Sequence, residues 1–376
     1  MSEQHLHIIS FDIPWPANYG GVIDVFFKIR SLYAAGVKIH LHCFEYHREP
    51  APELDKYCVE VNYYPRKTGL LSMLSSKPYI VFSRRSEQLL RNLCKDDHPI
   101  LFEGLHCCYY LPSAELKERF KIYRESNIEH HYYFHLSRAE KNIFRKAFFI
   151  FSGLKLKAYE SVLKHANLML TVSSEDHDYL ECRFPGKKIA YIPSFHHDED
   201  IRINPGKGVY ALYQGNLSVV ENRKAAEYLV KQVFSGLKTK LLIAGLNPTE
   251  RLKALIAKYP NVELVANPTD EEMFKLINNA MVNIMVTFQA TGLKLKLLNA
   301  LFNGRFCLVN PAMVIGTELG PLCEIADDAE AFRKRILYLM DREFTEEMIR
   351  ERSKQLVKWH SNKENCKTLL GLVPLL

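Results

Sequence analysis

Several familiar patterns are missing from this sequence of 376 residues, and each absence excludes a class of protein. The nine cysteines are odd in number, irregularly spaced and never arranged as CxxC, so a disulfide scaffold and a cysteine zinc site are both excluded. No HExxH occurs either. Although His131 and His135 have i, i+4 spacing, we expect them to be surface or core residues, and we predict no metal site.

We expect neither an export signal nor a membrane-spanning segment. No uncharged apolar run reaches about 18 residues, so no spanning helix is expected, and the N-terminus lacks the basic and apolar regions of a secretion signal. Together with reduced cysteines, this predicts a cytoplasmic protein. The net charge of +7 fits an anionic ligand or an anionic membrane surface. The basic residues are spread along the chain, so we expect no nucleic-acid partner.

The segments that are present alternate between strands and helices. Residues 6–10 form an apolar strand pattern, a loop with two prolines and two glycines follows, and a helical pattern at 22–36 leads to a second strand pattern. A long helical pattern covers 128–166. The alternation stops at the polar segment 195–208, which predicts a linker, and then restarts.

The predicted fold class is therefore α/β, with two Rossmann-like domains facing each other across a cleft. The first domain would cover residues 1–200 and be completed by a C-terminal helix at 361–376. The second would cover 201–360. Within it, Asn247 is expected to cap a helix that has Pro248 at its first position.

Several motifs, in this order, resemble the GT-B glycosyltransferases, in particular the group 1 branch called family 4. They cover almost the whole chain: "PWPANYGG", "RESNIEHHYY", "LYQGNLS", "KLLIAGLNP" and "GLKLKLLNALFNGRFCLVNP". The resemblance implies transfer of a sugar from a nucleotide-diphosphate donor, with a hexose and retention of configuration as the family's usual pattern. It also implies that no metal or other cofactor is required. The donor nucleotide would lie on the second domain and the acceptor mostly on the first.

Two glycine positions and one helix are the candidate donor site. Gly20 and Gly21 suit close approach of a phosphate at a helix start, although an ordinary loop turn has the same pattern. The resemblance adds Gly215 and Asn216 after the first strand of the donor domain. Asn216 stands where the family has an arginine.

The remaining donor candidates surround a helix start: Thr291, Gly292, Lys294, Lys296 and Asn299. A helix dipole disfavours lysines in the first turn, but a bound phosphate would offset that cost. Solvated surface lysines are the alternative. If both lysines were helical only one would reach the phosphate, whereas a loop position for Lys294 would keep both. Thr291 and Asn299 occupy positions where the family has glutamates.

The acceptor side is predicted from residues at two strand ends. Glu103 or His106 would accept a proton from an acceptor hydroxyl, and Glu129 is a further catalytic candidate. Arg124 and Asn127 would bind a phosphate or sugar hydroxyls. The alternatives are satisfied structural polar groups and a buried Arg–Glu pair that shapes the loop. Asp24 is interpreted as a complement to a helix dipole.

Basic and aromatic residues mix in the segment 144–164, which fits either a peripheral contact with an anionic membrane or an ordinary amphipathic helix. We expect a glycosyltransferase that acts on a glycan or lipid-linked acceptor in surface polysaccharide synthesis. Two alternatives stay open. One is a degenerate GT-B protein that binds a nucleotide or glycan without turnover, and the other is a sugar-phosphate epimerase of the same fold.

Overall fold

A computed structural model describes residues 4–69, 72, 75–288 and 294–374. The chain forms two compact units. The first comprises Met1–His196 and His360–Leu376, and the second comprises His197–Ala290 and Lys294–Trp359. The predicted domain boundaries at 200 and 360 lie close to these divisions.

The first unit contains a parallel sheet of seven strands in the order β3-β2-β1-β4-β5-β6-β7. Short apolar segments form these strands because both faces of the sheet are covered. The strands are β1 (His5–Ser10), β2 (Lys38–Glu45), β3 (Glu60–Pro65), β4 (Ile100–Glu103), β5 (Lys121–Arg124), β6 (Leu168–Thr171) and β7 (Lys188–Tyr191).

Helices connect these strands, and polar residues cap several of them. Ser86 and Ser173 each accept a hydrogen bond from a backbone N–H in the first turn of the helix that follows. The helices are α1 (Gly20–Ala34), α2 (Tyr79–Phe82), α3 (Glu87–Leu93), α4 (Glu129–Ala139), α5 (Ile143–Tyr159) and α6 (Ser174–Arg183).

The second unit contains a parallel sheet of six strands in the order β10-β9-β8-β11-β12-β13. Its strands are β8 (Ala211–Gln214), β9 (Leu241–Gly245), β10 (Val262–Ala266), β11 (Val282–Met285), β12 (Phe306–Val309) and β13 (Glu324–Ile325). Its helices are α7 (Val220–Tyr228), α8 (Glu250–Ile256), α9 (Asp270–Asn279), α10 (Leu295–Asn303), α11 (Ala329–Asp341) and α12 (Glu346–His360).

The last helix, α13 (Asn362–Leu372), belongs to the first unit. Its apolar residues Cys366 and Leu369 are buried in the same cluster as Leu32 of α1. The Cys366 thiol also donates a hydrogen bond to the Ser31 carbonyl, with 3.4 Å between sulfur and oxygen. These contacts fix the end of the chain onto the first unit.

Both sheets reverse their strand order at one place, and the reversal locates a binding edge. In the first unit β1 lies between β2 and β4, and in the second β8 lies between β9 and β11. At each reversal two adjacent strands, β1 with β4 or β8 with β11, are followed by loops that run in opposite directions. This separation opens a crevice at the carboxyl ends of the two strands. The expected ligand positions therefore follow β1 and β4 in the first unit and β8 and β11 in the second.

Three helix predictions need correction. The predicted helix at 128–166 is interrupted, because Glu140 adopts extended backbone angles and α5 begins after its own cap, Asn142. The spacing at 113–119 also predicts a helix, but these residues form only the 3-10 turn Ala114–Leu116. Asn247 does not cap α8. It has a φ of 52°, and the Thr249 hydroxyl caps the helix instead.

Within the described residues, no helix is long and apolar enough to cross a membrane.

Candidate functional site

His106 and Glu129 come together at the switch point of the first unit. Gly104 follows β4 with a φ of 75°, a conformation that favours glycine. The next residues form the 3-10 turn Leu105–Cys107, which contains His106. Glu129 is the first residue of α4. The His106 Nδ1 and Glu129 Oε1 atoms are 3.6 Å apart. The structure thus joins two of the three predicted catalytic residues.

The burial of this pair shifts both titrations. Burial raises the pKa of Glu129 to about 7, although Arg84 lowers it in part. Burial, followed by the charges of Arg84 and Arg66, lowers the pKa of His106 well below its ordinary value. His106 Nδ1 has no hydrogen-bond partner among the described residues. A carboxyl group that titrates near neutral pH beside a neutral imidazole is suited to proton transfer.

Two arginines beside this pair are absent from the predicted site. Arg84 is buried, donates from Nε to the Phe11 carbonyl at 2.9 Å, and has its pKa lowered to about 10 by burial. Arg66 follows β3 and stacks over the Tyr46 ring at 4.2 Å. Arg84 and Arg66 lie beside this pair only because segments far apart in sequence come together in the fold. A local motif could therefore not have identified the two arginines.

Glu103 and Arg124 instead enter a buried ion network with two residues of α1. Lys28 Nζ lies 2.9 Å from Asp24 Oδ2 and 2.6 Å from Glu103 Oε1. Arg124 Nη2 lies 3.2 Å from Asp24 Oδ1. All four side chains are almost wholly buried. Burial raises the pKa of Glu103.

Arg124 is therefore enclosed by protein groups. Besides Asp24, it donates to the backbone carbonyls of Ile192 at 2.6 Å and Pro193 at 3.1 Å. Asp24 also accepts the Phe195 N–H at 2.7 Å. The arrangement matches the structural alternative for Arg124, except that its partner is Asp24 and not a glutamate. The interpretation of Asp24 as a dipole complement is wrong, because its carboxylate binds these side chains deep in the unit.

Asn127 and the glycine pair lie near the same edge. The Asn127 N–H donates to Glu125 Oε1 at 3.1 Å, which shapes the loop before α4. Gly20 and Gly21 form the start of α1, two residues before the predicted helical pattern. A Cβ atom on Gly21 would lie 2.6 Å from the Phe11 ring. The close approach that requires glycine there is therefore to a side chain of the protein itself.

An open cavity of about 820 Å³ adjoins this edge, after β1 and β2. Aromatic side chains line it together with Arg48, which donates to the Pro16 carbonyl at 2.7 Å and faces the Tyr19 ring. Trp15 and Tyr46 also line the wall. Aromatic faces with a few polar groups are typical of ligand cavities. The aromatic residues around the predicted glycine loop were the available signal in the sequence.

The candidate donor residues of the second unit meet at its switch point. Gly215 follows β8, and a Cβ atom there would lie 3.2 Å from the Asn222 side chain and 3.4 Å from Lys296 Nζ. Lys296 donates to Asn222 Oδ1 at 2.9 Å. Asn216 is exposed, and its Oδ1 accepts the Ser218 N–H at 3.0 Å. The structure brings Gly215 and Lys296 together, while Asn216 shapes the adjoining turn.

Lys296 is a partly buried cation with a neutral hydrogen-bond acceptor. Burial lowers its pKa, Glu221 raises it, and the nearby charge of Lys294 lowers it further. The Glu221 carboxylate itself accepts a hydrogen bond from the Thr287 hydroxyl, at the end of β11. The lysine is therefore incompletely compensated within the described residues, and a bound anion would stabilise its charge.

Lys294 is the N-cap of α10, with φ −89° and ψ 35°, and the helix begins at Leu295. This is the loop position under which both lysines were expected to reach one diphosphate. Thr291 and Gly292 lie outside the described residues.

Asn299 lies one turn further along α10. Its Nδ2 is 2.8 Å from His197 Nε2 and 3.3 Å from Asp198 Oδ2. Its Oδ1 is buried without a hydrogen-bond partner among the described residues. The amide nitrogen is thus held by neighbouring residues, while the oxygen could accept from a hydroxyl donor.

The structure shows which histidines lie close enough together to bind a metal ion. In the described part of the chain, two groups have ligand atoms close enough for one ion: His5, His40 and His98, and His177, Asp178 and Glu181. Neither contains His131 or His135. Neither group contains a residue of the candidate donor site. The expectation that sugar transfer needs no metal therefore remains a prediction.

Comparisons with known proteins agree with this architecture. No family model matches the chain. An uncharacterised 44.6 kDa protein in the cps region of Klebsiella pneumoniae is 26% identical over 353 residues, which cover 88% of this chain and 89% of that protein.

Solved structures extend the comparison to nearly the full length. Sucrose-phosphate synthase from Thermosynechococcus elongatus has a TM-score of 0.69 at 16% identity, covering 98% of each chain. HepE from Anabaena, solved with UDP and glucose, has a TM-score of 0.65 at 10% identity, covering 98% of this chain and 99% of that one. The predicted fold is confirmed: this chain has the GT-B glycosyltransferase fold.

Proposed function

We propose that this chain is a glycosyltransferase that uses a nucleotide-diphosphate sugar. The observation that carries the proposal is the position of Lys296, an incompletely compensated cation beside Gly215 at the switch point of the second unit. The leaving diphosphate gains negative charge as the bond to the sugar breaks. A cation already fixed at that point stabilises the charge without reorganisation.

Lys294 and the start of α10 supply a second contribution to the same site. The backbone N–H groups in the first turn of a helix are free to bind an anion, and the helix dipole favours negative charge there. Lys294 precedes that turn. Two lysines and a helix start together suit a diphosphate better than a single phosphate. Asn299 Oδ1 would accept from a ribose hydroxyl.

The first unit would hold the acceptor. The acceptor hydroxyl forms the new bond to the sugar carbon while the carbon–phosphate oxygen bond breaks, and the hydroxyl proton must leave. Glu129, with a pKa of about 7, is the proposed proton acceptor, and His106 and Arg84 adjust its charge. The arginine charges also suit an acceptor that carries a phosphate, such as a lipid-linked glycan.

The biological role proposed is synthesis of a surface polysaccharide. The relative from Klebsiella pneumoniae is described as lying in a cps region, and its alignment spans both units. A hexose donor and retention of configuration follow from the family resemblance alone. Because HepE was solved with UDP and glucose, UDP is the first nucleotide to test.

The direct test measures binding of UDP, GDP and ADP to the full chain by calorimetry and thermal shift. We expect one nucleoside diphosphate to bind, and Lys296→Met to weaken it about tenfold to a hundredfold, as expected for loss of a charged hydrogen bond. Lys275→Met, an exposed lysine on α9 in the same unit, is the matched control. No binding by any of the three nucleotides would contradict the donor site.

A non-catalytic binding protein is the second candidate, favoured by Asn299. Its amide nitrogen is held by His197 and Asp198, at a position where the resembled family has a glutamate. Turnover separates the two candidates. Release of nucleoside diphosphate from a sugar nucleotide, dependent on added acceptor extract, supports the transferase. Tight nucleotide binding without release supports the binding protein.

We also propose peripheral contact with the inner face of the membrane through α5. Phe144 is 83% exposed and Phe151 59% exposed, and Arg145 and Lys146 lie on the same helix. Exposed aromatic and basic residues on one helix suit an anionic bilayer surface. Phe144→Ser with Phe151→Ser should reduce co-sedimentation with phosphatidylglycerol vesicles, whereas Val209→Ser, an exposed apolar position of the second unit, should not. Equal binding to neutral and anionic vesicles would contradict the charge argument.

A further inference from the structure

Five histidines lie together at the amino edge of the first sheet, opposite the edge described above. His5 and His7 alternate along β1, and His40 and His42 alternate along β2, so all four share one face. His7 pairs with His40 in the parallel register. His98 completes the group from the loop before β4. The rings stack, with 4.4 Å between the centroids of His5 and His98 and 4.7 Å between those of His7 and His40.

The outer three histidines have ring nitrogens close to one another. His5 Nδ1 and His40 Nε2 are 3.0 Å apart. The ligand nitrogens of His5, His40 and His98 all lie within 4.8 Å of one another. All three residues are partly exposed, so an ion in solution has access to them. The inner residues His7 and His42 are buried.

A carboxylate orients His40 toward the middle of this group. Glu60 Oε1 lies 2.9 Å from His40 Nδ1, which directs the Nδ1 proton outward and leaves Nε2 to face His5. Histidines that bind metals almost always donate the second ring N–H to a carboxylate, a backbone carbonyl or water. Of the two inner rings, that of His7 is anchored in the same way, because His7 Nε2 lies 3.0 Å from Asp96, which Arg119 also holds.

We propose that His5, His40 and His98 bind one divalent first-row transition metal ion, with Zn²⁺ as the probe. Imidazole nitrogens suit Zn²⁺, Ni²⁺ and Cu²⁺. With zinc–nitrogen bonds of about 2.0–2.1 Å, tetrahedral ligands lie about 3.3–3.4 Å apart, close to the His5–His40 separation. Water would fill the fourth position.

Coordination requires two rearrangements. Because Glu60 accepts the His40 Nδ1 proton, His5 Nδ1 donates the hydrogen bond to His40 Nε2, and His5 must lose that proton to bind the ion. The ring planes of His5 and His98 are only 12° from parallel, so their lone pairs do not converge. Rotation of the His98 side chain, which projects from a loop, would bring its nitrogen to the ion. A bound ion would then join β1, β2 and the loop before β4. This role is separate from sugar transfer, because the group lies at the opposite edge from Glu129 and His106.

The test is calorimetric titration of the full, metal-free chain with Zn²⁺. We expect one equivalent to bind, and His98→Ala to weaken the affinity at least tenfold. Glu60→Gln keeps all three ligands and should weaken it about tenfold to a hundredfold through the lost carboxylate. Glu60 is partly exposed on an edge strand, so this variant remains informative if His98→Ala unfolds.

His177→Ala is the matched control, because His177 belongs to the other group of potential ligands in the described chain. Its Zn²⁺ affinity should equal that of the original chain. Absence of binding by the original chain would overturn the proposal. So would His98→Ala and Glu60→Gln variants that bind Zn²⁺ as tightly as the original chain, or loss of binding in His177→Ala alone. Nucleotide affinity should be the same in all four proteins, which keeps this test independent of the proposed function.

Discussion

Arg124 in the first unit and Lys296 in the second are both cations near the carboxyl edge of a parallel sheet, but their surroundings differ. Arg124 is wholly buried and donates to the Asp24 carboxylate and to backbone carbonyls. Lys296 is partly buried, and its described hydrogen bond goes to the neutral amide of Asn222. Among the described residues, Arg124 has a buried carboxylate partner, whereas the hydrogen-bond partner of Lys296 is neutral.

This difference indicates that the charge of Arg124 is structural, whereas the charge of Lys296 is a candidate for binding a ligand. Removing one partner of a buried ion pair leaves the other charge uncompensated, which strongly destabilises a protein. Removing a cation that lacks an equally buried partner relieves a desolvation cost. Loss of charge should therefore destabilise the protein far more at Arg124 than at Lys296, and four variants test how far the contrast holds.

Arg124→Met should have the largest effect. It leaves Asp24 and Glu103 to share Lys28 in a buried network, so the free energy of unfolding should fall by about 3–5 kcal/mol. Urea denaturation followed by circular dichroism measures the change. A loss below about 1 kcal/mol would show that Arg124 is not the structural charge described here.

Glu129→Gln tests the first unit through pH. The pKa of Glu129 rises from 4.5 to about 7, so the folded protein holds a proton that the unfolded chain releases. Stability must then fall as pH rises from about 4.5 to about 7, by roughly 3 kcal/mol in total. The variant should lack that part of the pH dependence and be the more stable protein at pH 8. Parallel stability–pH curves for the two proteins would contradict the assignment.

Gly245→Ala tests the backbone that positions the second site. A Cβ atom there would lie 1.8 Å from the Gly215 carbonyl oxygen, so β8 and β9 must separate beside Lys296. We expect a loss of about 1–3 kcal/mol in unfolding free energy, measured by urea denaturation. Gly371→Ala is the control, since nothing lies within 4 Å of its added methyl group. Equal stability of the two variants would show that the close approach is not required.

Lys296→Met should have the smallest effect on folding. Because its charge is incompletely compensated, the unfolding free energy should change by less than about 1 kcal/mol, in either direction. Thermal unfolding without nucleotide measures it. A loss as large as that of Arg124→Met would remove the contrast between the two cations.

The alternation of strands and helices was predictable because strand and helix periodicities are local properties. Gly20 at the start of α1 and Ser361 as the cap of α13 follow from short-range chemistry in the same way. The Lys294 position could not be decided from spacing alone, since it depends on where α10 begins.

Long-range pairing accounts for what the sequence did not reveal. Lys28 and Asp24 have helical i, i+4 spacing, yet only the fold places Glu103 beside them. Glu103 is therefore already paired with Lys28, which argues against its predicted role as a proton acceptor. Arg84 reaches Glu129 through contacts between segments far apart in sequence. The grouping of His98 with His5 arises in the same way.

The most direct measurement of the central claim is calorimetric titration of UDP, and then GDP and ADP, into the original chain, Lys296→Met and the control Lys275→Met. The proposed donor site predicts that one nucleoside diphosphate binds the original chain and the control equally. It also predicts at least tenfold weaker binding to a folded Lys296→Met protein. Equal affinity in all three proteins would place the nucleotide elsewhere and contradict the role assigned to Lys296.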